Sequence, residues 1–301
     1  MTRRLWIEGA DGSIWNLAGP GAGTEGAMMM PGPSKLIDAP AKTFWVQGAT
    51  QMHYQGRQFE RRDPTFSIGI HDPDRYVWSD VDSRFRMALG MYDEQFTIGV
   101  ESEYGIRRLD MRLLQEPTAY ANNPAEKAWE FGETTLNISA ACSNPFWYGA
   151  PIPLSWTSTT GAGSGTLNAK NLGDVPVWPK YFVNAPGTWT LPDFSWGQDL
   201  YFMYGPPLIS RAVADAARTQ FLPALNAGED TSVDTDPNVE TLIAANGALV
   251  QARWEGNGLL YPIAPHTPAT AVPVSLAGGN PGAAVTMTIP QWFSRPWGVM
   301  R

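Results

Sequence analysis

Cysteine is almost missing from this chain of 301 residues: Cys142 is the only one, which excludes an intramolecular disulfide framework and a cysteine-rich zinc site. It closes the apolar run Ile138-Ser139-Ala140-Ala141-Cys142, the setting of a buried structural thiol rather than a reactive one. Histidine is nearly as sparse, and His53, His71 and His266 share no metal-ligand spacing, so solvated or hydrogen-bonded roles are expected. Positive charge is short as well. There are 21 Lys and Arg against 29 Asp and Glu, a net charge of −8, and the densest basic clusters are the pairs Arg61-Arg62 and Arg107-Arg108. Nothing there tracks a phosphate backbone, so nucleic-acid binding is not expected. No run approaches the roughly 18 apolar residues of a membrane span. After Arg3-Arg4, the stretch Leu5-Trp6-Ile7 is cut at once by Glu8-Gly9-Ala10-Asp11-Gly12, which does not make a signal peptide.

Catalytic patterns are missing too. Gly161-Ala162-Gly163-Ser164-Gly165 has the glycines of a phosphate cradle but not the Lys-Ser/Thr that completes one, and no nucleophile elbow is present. Asp230 to Asn238 is the richest acidic stretch. It lacks the fixed glycine and distal glutamate of a calcium loop and reads as a strand ending in an Asp-Pro-Asn turn. A glycosidase needs two carboxyl groups, and nothing singles out a pair. A non-enzymatic chain without cofactor or metal is expected.

What the sequence has in plenty is aromatic and turn-forming residues: 13 Trp, 10 Tyr, 12 Phe, 30 Gly and 26 Pro. Aromatics favour pleated, half-buried surfaces, while Gly and Pro punctuate; together they predict an all-β chain. Strand patterns fall at 3–7 and 13–17 around an Asp11-Gly12 turn, then at 42–48, 58–63, 65–71, 95–101, 107–115 and 134–141. One helix is expected: Val81, Phe85, Ala88, Leu89 and Tyr92 share a helical face, with Ser79 or Asp80 as N-cap. Between Ala18 and Pro33 runs a long Gly/Pro loop carrying Met28, Met29 and Met30, which either lie in a core or offer an adaptable contact to a neighbouring subunit.

Charge density changes midway. Residues 1–142 hold 14 Lys and Arg and 19 Asp and Glu; the rest hold 7 and 10. A domain boundary is therefore placed at Cys142–Pro145, giving domains 1–142 and 143–301. In the second, 157–168 reads as a flexible loop. Strands are expected at 152–156, 181–184, 187–191, 200–204, 231–234, 239–244, 272–276 and 284–289, a two-sheet sandwich. Residues 211–222 read as either helix or loop.

Ser143-Asn144-Pro145-Phe146-Trp147-Tyr148-Gly149, a strand end followed by Pro-Phe-Trp-Tyr-Gly, resembles the distal tail proteins of long-tailed, non-contractile bacteriophages, especially minor tail proteins of phages infecting actinobacteria. The hairpin Trp6–Leu17, Pro31-Gly32-Pro33, Arg57–Ile70, Asn171–Pro179 and Gly228-Glu229 with Val233–Pro237 are similar to the family in order and spacing. The resemblance implies an N-terminal β-sandwich or split barrel with one helix that assembles into a hexameric ring, and a C-terminal galectin-like β-sandwich. It implies a place in the virion at the tail tip after assembly in the host cytoplasm. The partners it implies are further copies of the chain, the tail tube protein, the tape-measure protein and tip or hub proteins, with DNA passing through the lumen unbound. Interface or junction candidates are Met28, Met29, Met30, Arg57, Arg61, Arg62, Arg107, Arg108, Pro145, Phe146, Trp147, Tyr148 and Gly149. A runner-up reading is a carbohydrate-binding host-attachment module, with Trp189, Trp196, Trp254 and Trp292 either stacking on sugars or packed in the core.

Overall fold

The computed structural model describes residues 3–72, 78–118, 132–199, 210–255 and 258–298; the expected strand at 200–204 lies outside them. The chain divides into two compact units, Met1–Gly149 with Phe293–Val299, and Ala150–Trp292 with Met300–Arg301. The first unit thus runs past Cys142 to Gly149 and takes back a late segment from Phe293 onward.

In the first unit, β1 (Arg4–Glu8) and β2 (Ile14–Ala18) form the expected hairpin. Its turn is tied by Asp11, whose carboxylate accepts the Ser13 N–H and hydroxyl at 3.0 and 2.6 Å, an Asx turn. The Gly/Pro loop is not structureless: Ala27–Met29 forms a strand, β3, with Met28 opposite Gly69. Three residues are too few to show an alternation in sequence. Next come β4 (Ala41–Gln47) and β5 (Met52–Phe59), which among the described residues pair only with each other. The second of these begins six residues before the expected 58–63 segment and ends inside it, at Phe59. β6 (Thr65–His71) follows the period-two pattern, burying Phe66, Ile68 and Ile70.

The helix α1 (Trp78–Leu89) buries Val81, Phe85, Ala88 and Leu89, as the periodicity predicts. Phe85 meets Trp15 edge-on, with ring centres 5.1 Å apart. Gly90 adopts a φ of +67° and ends the helix, which leaves Tyr92 outside it and exposed. The strands β7 (Phe96–Ser102), β8 (Gly105–Leu113), β9 (Glu133–Ala141) and the start of β10 (Trp147–Thr157) complete the unit. One antiparallel sheet runs β2-β1-β7-β8-β10; another runs β3-β6-β9 and meets the end of β8 through Arg112–Ala141. The buried faces of both sheets and of α1 share one core, which includes Cys142, Trp147 and Phe293.

The second unit is an antiparallel sandwich. From Ala150, β10 continues into it, followed by β11 (Gly163–Asn171), β12 (Lys180–Val183), β13 (Thr188–Pro192), β14 (Thr219–Phe221), β15 (Thr231–Asp234), β16 (Leu242–Ala244), β17 (Thr267–Ala277) and β18 (Ala284–Phe293). One sheet is ordered β10-β18-β12-β15-β16, the other β11-β17-β13-β14. β18 alternates strictly, turning Val285, Met287 and Ile289 into the core. The segment expected as a flexible loop is largely strand. From Gly163, β11 pairs with β17, because Gly165 has no Cβ to strike the Trp156 indole, which would lie 2.1 Å away. Among the described residues the chain is all-β with one α-helix. The acidic stretch is a strand and turn, with Asp236 accepting from the Asn238 N–H at 2.9 Å.

Candidate assembly surfaces

The β4–β5 ribbon exposes its large side chains instead of burying them. Phe44, Trp45, Val46, Met52 and Tyr54 are all exposed, and Trp45 stacks edge-on against Tyr54 at 5.2 Å. Its residues 41–59 carry Lys42, His53 and Arg57 but no carboxylate. A lone two-stranded ribbon is marginal in water, and contiguous apolar exposure of this kind marks an interaction surface. A second exposed apolar group lies at the end of α1, where Met87, Met91 and Tyr92 are open. Met87 and Met91 line a groove with Asp11, Arg86 and Glu94.

The candidates from sequence fall into distinct places. Met28 and Met30 are exposed, while Met29 packs against the core. Arg57 is exposed on the ribbon, with its guanidinium 5.0 Å from the Phe59 ring centre. Arg61 is held by Asp63 through two hydrogen bonds of 2.8 and 3.0 Å, and Arg108 pairs with Glu8 at 3.1 Å. Arg62 and Arg107 are buried, which takes both off the exposed surface. The Arg62 Nη1 and Nη2 groups donate to the Leu36 and Ser294 carbonyls at 3.0 and 3.2 Å. Burial lowers the Arg62 pKa to about 10. Arg107 lies 3.6 Å from the Phe293 ring centre and donates to the Arg295 carbonyl at 2.9 Å.

The Pro145–Gly149 motif packs where β10 begins. Pro145 and Gly149 are half-buried and flank the aromatics. Phe146 meets Phe59 edge-on at 4.7 Å, at the foot of the ribbon. Trp147 is fully buried and donates to the Ile37 carbonyl at 3.1 Å. The Tyr148 hydroxyl donates to Asp110 at 2.8 Å; burial, then the Asp110 contact, push its pKa up. The four tryptophans named for sugar stacking belong to the second core: Trp189 is fully buried, and Trp196, Trp254 and Trp292 pack against it. The Asn184 carbonyl accepts from the Trp189 indole at 2.8 Å.

Sequence reasoning missed two features. The ribbon was legible only as a strand at 42–48 and a second one set late, at 58–63, with nothing to tell an exposed face from a buried one. The late segment Phe293–Trp297 gave no local signal at all, since its partners lie far away in sequence: Ser294 is 232 residues from Arg62.

No family model matches this chain. It is 24% identical over 348 residues to the minor tail protein Gp27 of Mycobacterium phage D29, spanning 97% of each chain. It is likewise 24% identical over 349 residues to the Gp27 minor tail protein of Mycobacterium phage L5, again over 97% of both. Among solved structures, the SPP1 Dit protein shares the fold with a TM-score of 0.54 at 14% identity, over 97% of this chain and 100% of that one. A chain of the phage P2 baseplate in its activated, calcium-bound conformation gives 0.50 at 11% identity, over 97% and 98%.

Proposed function

We propose that this chain, a structural minor tail protein of the distal-tail type, closes with copies of itself into a ring, six being the expected number, at the distal end of a long non-contractile phage tail. There it joins the tube to the tip proteins, and its role is scaffolding rather than catalysis. The exposed β4–β5 ribbon carries this reading. A ring needs head-to-tail interfaces, in which two different patches of one surface meet. The first unit offers two: the ribbon with its aromatic tip and basic charge, and the α1 end with Met87, Met91 and Tyr92, bordered by Asp11 and Glu94. Methionine suits such an acceptor because it adapts to the shape it meets. The full-length likeness to phage minor tail proteins supports the placement in the tail.

The test is the mass of the purified chain across concentration by native mass spectrometry, paired with electron microscopy of tails labelled through the chain. A closed oligomer, together with label at the tail tip, is the expected result. A monomer at every concentration, with and without purified tube protein, would overturn the ring, and label along the tail shaft would overturn the position.

A further inference from the structure

The late segment Phe293–Trp297 enters the first unit after the whole second unit has intervened, and its contacts gather at two sites. At the core, Phe293 is buried beneath the Arg107 guanidinium, and the Arg295 carbonyl accepts from Arg107. Trp297 lies 4.9 Å from the Arg3 guanidinium and packs against the same core. At the feet of the β4–β5 ribbon, the Ser294 carbonyl accepts the Ala39 N–H at 2.8 Å on the entry side and the Arg62 Nη2 at 3.2 Å on the exit side. Arg295 pairs with Asp38 at 3.4 Å, again at the entry. One carbonyl thus bridges both feet of the ribbon.

We infer that Phe293–Trp297 is a closing strap: the first unit reaches its closed core, and the β4–β5 ribbon its fixed stance, only once this segment docks. Buried guanidinium groups need hydrogen-bond partners, and part of those that Arg62 and Arg107 use sit on the strap. Without it, both charges lie in a core whose acceptors are incomplete, and the ribbon's two feet lose their common anchor. Because the strap follows the second unit, the first unit is synthesised first and closed last. At about 5–20 residues per second the intervening stretch delays closure by on the order of ten seconds. During that time the apolar ribbon is not yet presented in its final form to other chains, which limits pairing between unfinished copies. Only this last consequence rests on the ring reading; the closure itself does not.

Cys142 reports on the device. It is fully buried in the core that the strap completes, and its N–H donates to the Arg62 carbonyl at 2.8 Å. Burial pushes its thiol up to about 12. Alkylation of Cys142 is measured on ribosome-bound chains of the whole sequence followed by a short or a long linker before the stall; the short linker keeps the strap in the exit tunnel. The released chain carrying Phe293→Asp is compared with the parent at a dilution where both are monomeric. At least a tenfold faster alkylation is expected with the short linker than with the long one, and in Phe293→Asp than in the parent, while the second unit keeps its own unfolding transition. Equal protection with both linkers, or a Phe293→Asp chain whose Cys142 stays as slow as the parent, overturns the strap. Since the thiol is read on monomers, the strap stands or falls by this measurement even in a chain that never forms a ring.

Discussion

Replacing Trp45 by Ser separates assembly from folding. Trp45 is 52% exposed at the tip side of the ribbon, so its removal opens no cavity in the first unit's core. An exposed substitution of this kind stays within about 0.5 kcal/mol of parent stability, apart from the edge-on contact with Tyr54. In an interface the balance changes. A tryptophan buries about 150–250 Å², so roughly half of that, about 80–130 Å², remains to be covered by a partner. At ~25 cal/mol per Å² this is worth about 2–3 kcal/mol per contact, a loss of about 30- to 150-fold in association. Sedimentation velocity across a concentration series, alongside thermal unfolding, reads both quantities. Val213→Ser in the second unit, where Val213 is 90% exposed, is the control and leaves association unchanged. If Trp45→Ser associates within about threefold of the parent while folded, the ribbon is not the donor surface, and its exposure has another cause.

Trp147→Ala removes a fully buried indole together with its bond to the Ile37 carbonyl and is expected to destabilise the first unit by about 3–5 kcal/mol; calorimetry should show the second unit's transition unmoved. Gly165→Ala places a methyl group against the Trp156 indole and is expected to cost about 1–3 kcal/mol, this time in the second unit's transition. Desolvation alone would raise the Glu25 carboxyl, but hydrogen bonds from the Asn16 N–H and side-chain amide, at 3.0 and 2.8 Å, hold it below its ordinary value of 4.5. A depressed folded-state pKa gives stability that is complete above the unfolded value and is lost as pH falls through the folded one. Thermal midpoints of the parent and Glu25→Gln should therefore differ most near neutrality and converge below pH 4.5; a gap that holds constant into acid would exclude this role for Glu25.

How far the fold could be read from sequence depended on whether a segment buries one face. β6 and α1 were legible because Phe66, Ile68 and Ile70 alternate and because Val81, Phe85, Ala88 and Leu89 share a helical stripe; burial wrote the period into the residues. β11 was not, since only Leu167, Ala169 and Asn171 of its nine residues are buried and its glycines make room for an indole instead of marking a flexible loop. The limits of β5 were misplaced for the opposite reason. With neither face covered among the described residues, its residues carry no alternation that a reader could follow.

The Pro145–Gly149 motif was the most visible marker of the candidate site, yet its side chains are spent inside the unit. Phe146 braces Phe59 at the end of β5, Trp147 fills the core beside the segment that enters β4, and the strap carbonyl of Ser294 ties Ala39 to Arg62. Three pieces remote in sequence therefore meet at the feet of one exposed ribbon. A ribbon of two strands whose faces are open among the described residues has little stability of its own, so its stance must be set at its root, where this chain places Phe146, Trp147 and the buried Arg62. The motif thus bears on assembly by holding the arm that makes contact, not by making contact itself. For the same reason, substitutions at Phe146 should act on ribbon geometry and core stability together, whereas those at Trp45 act on association.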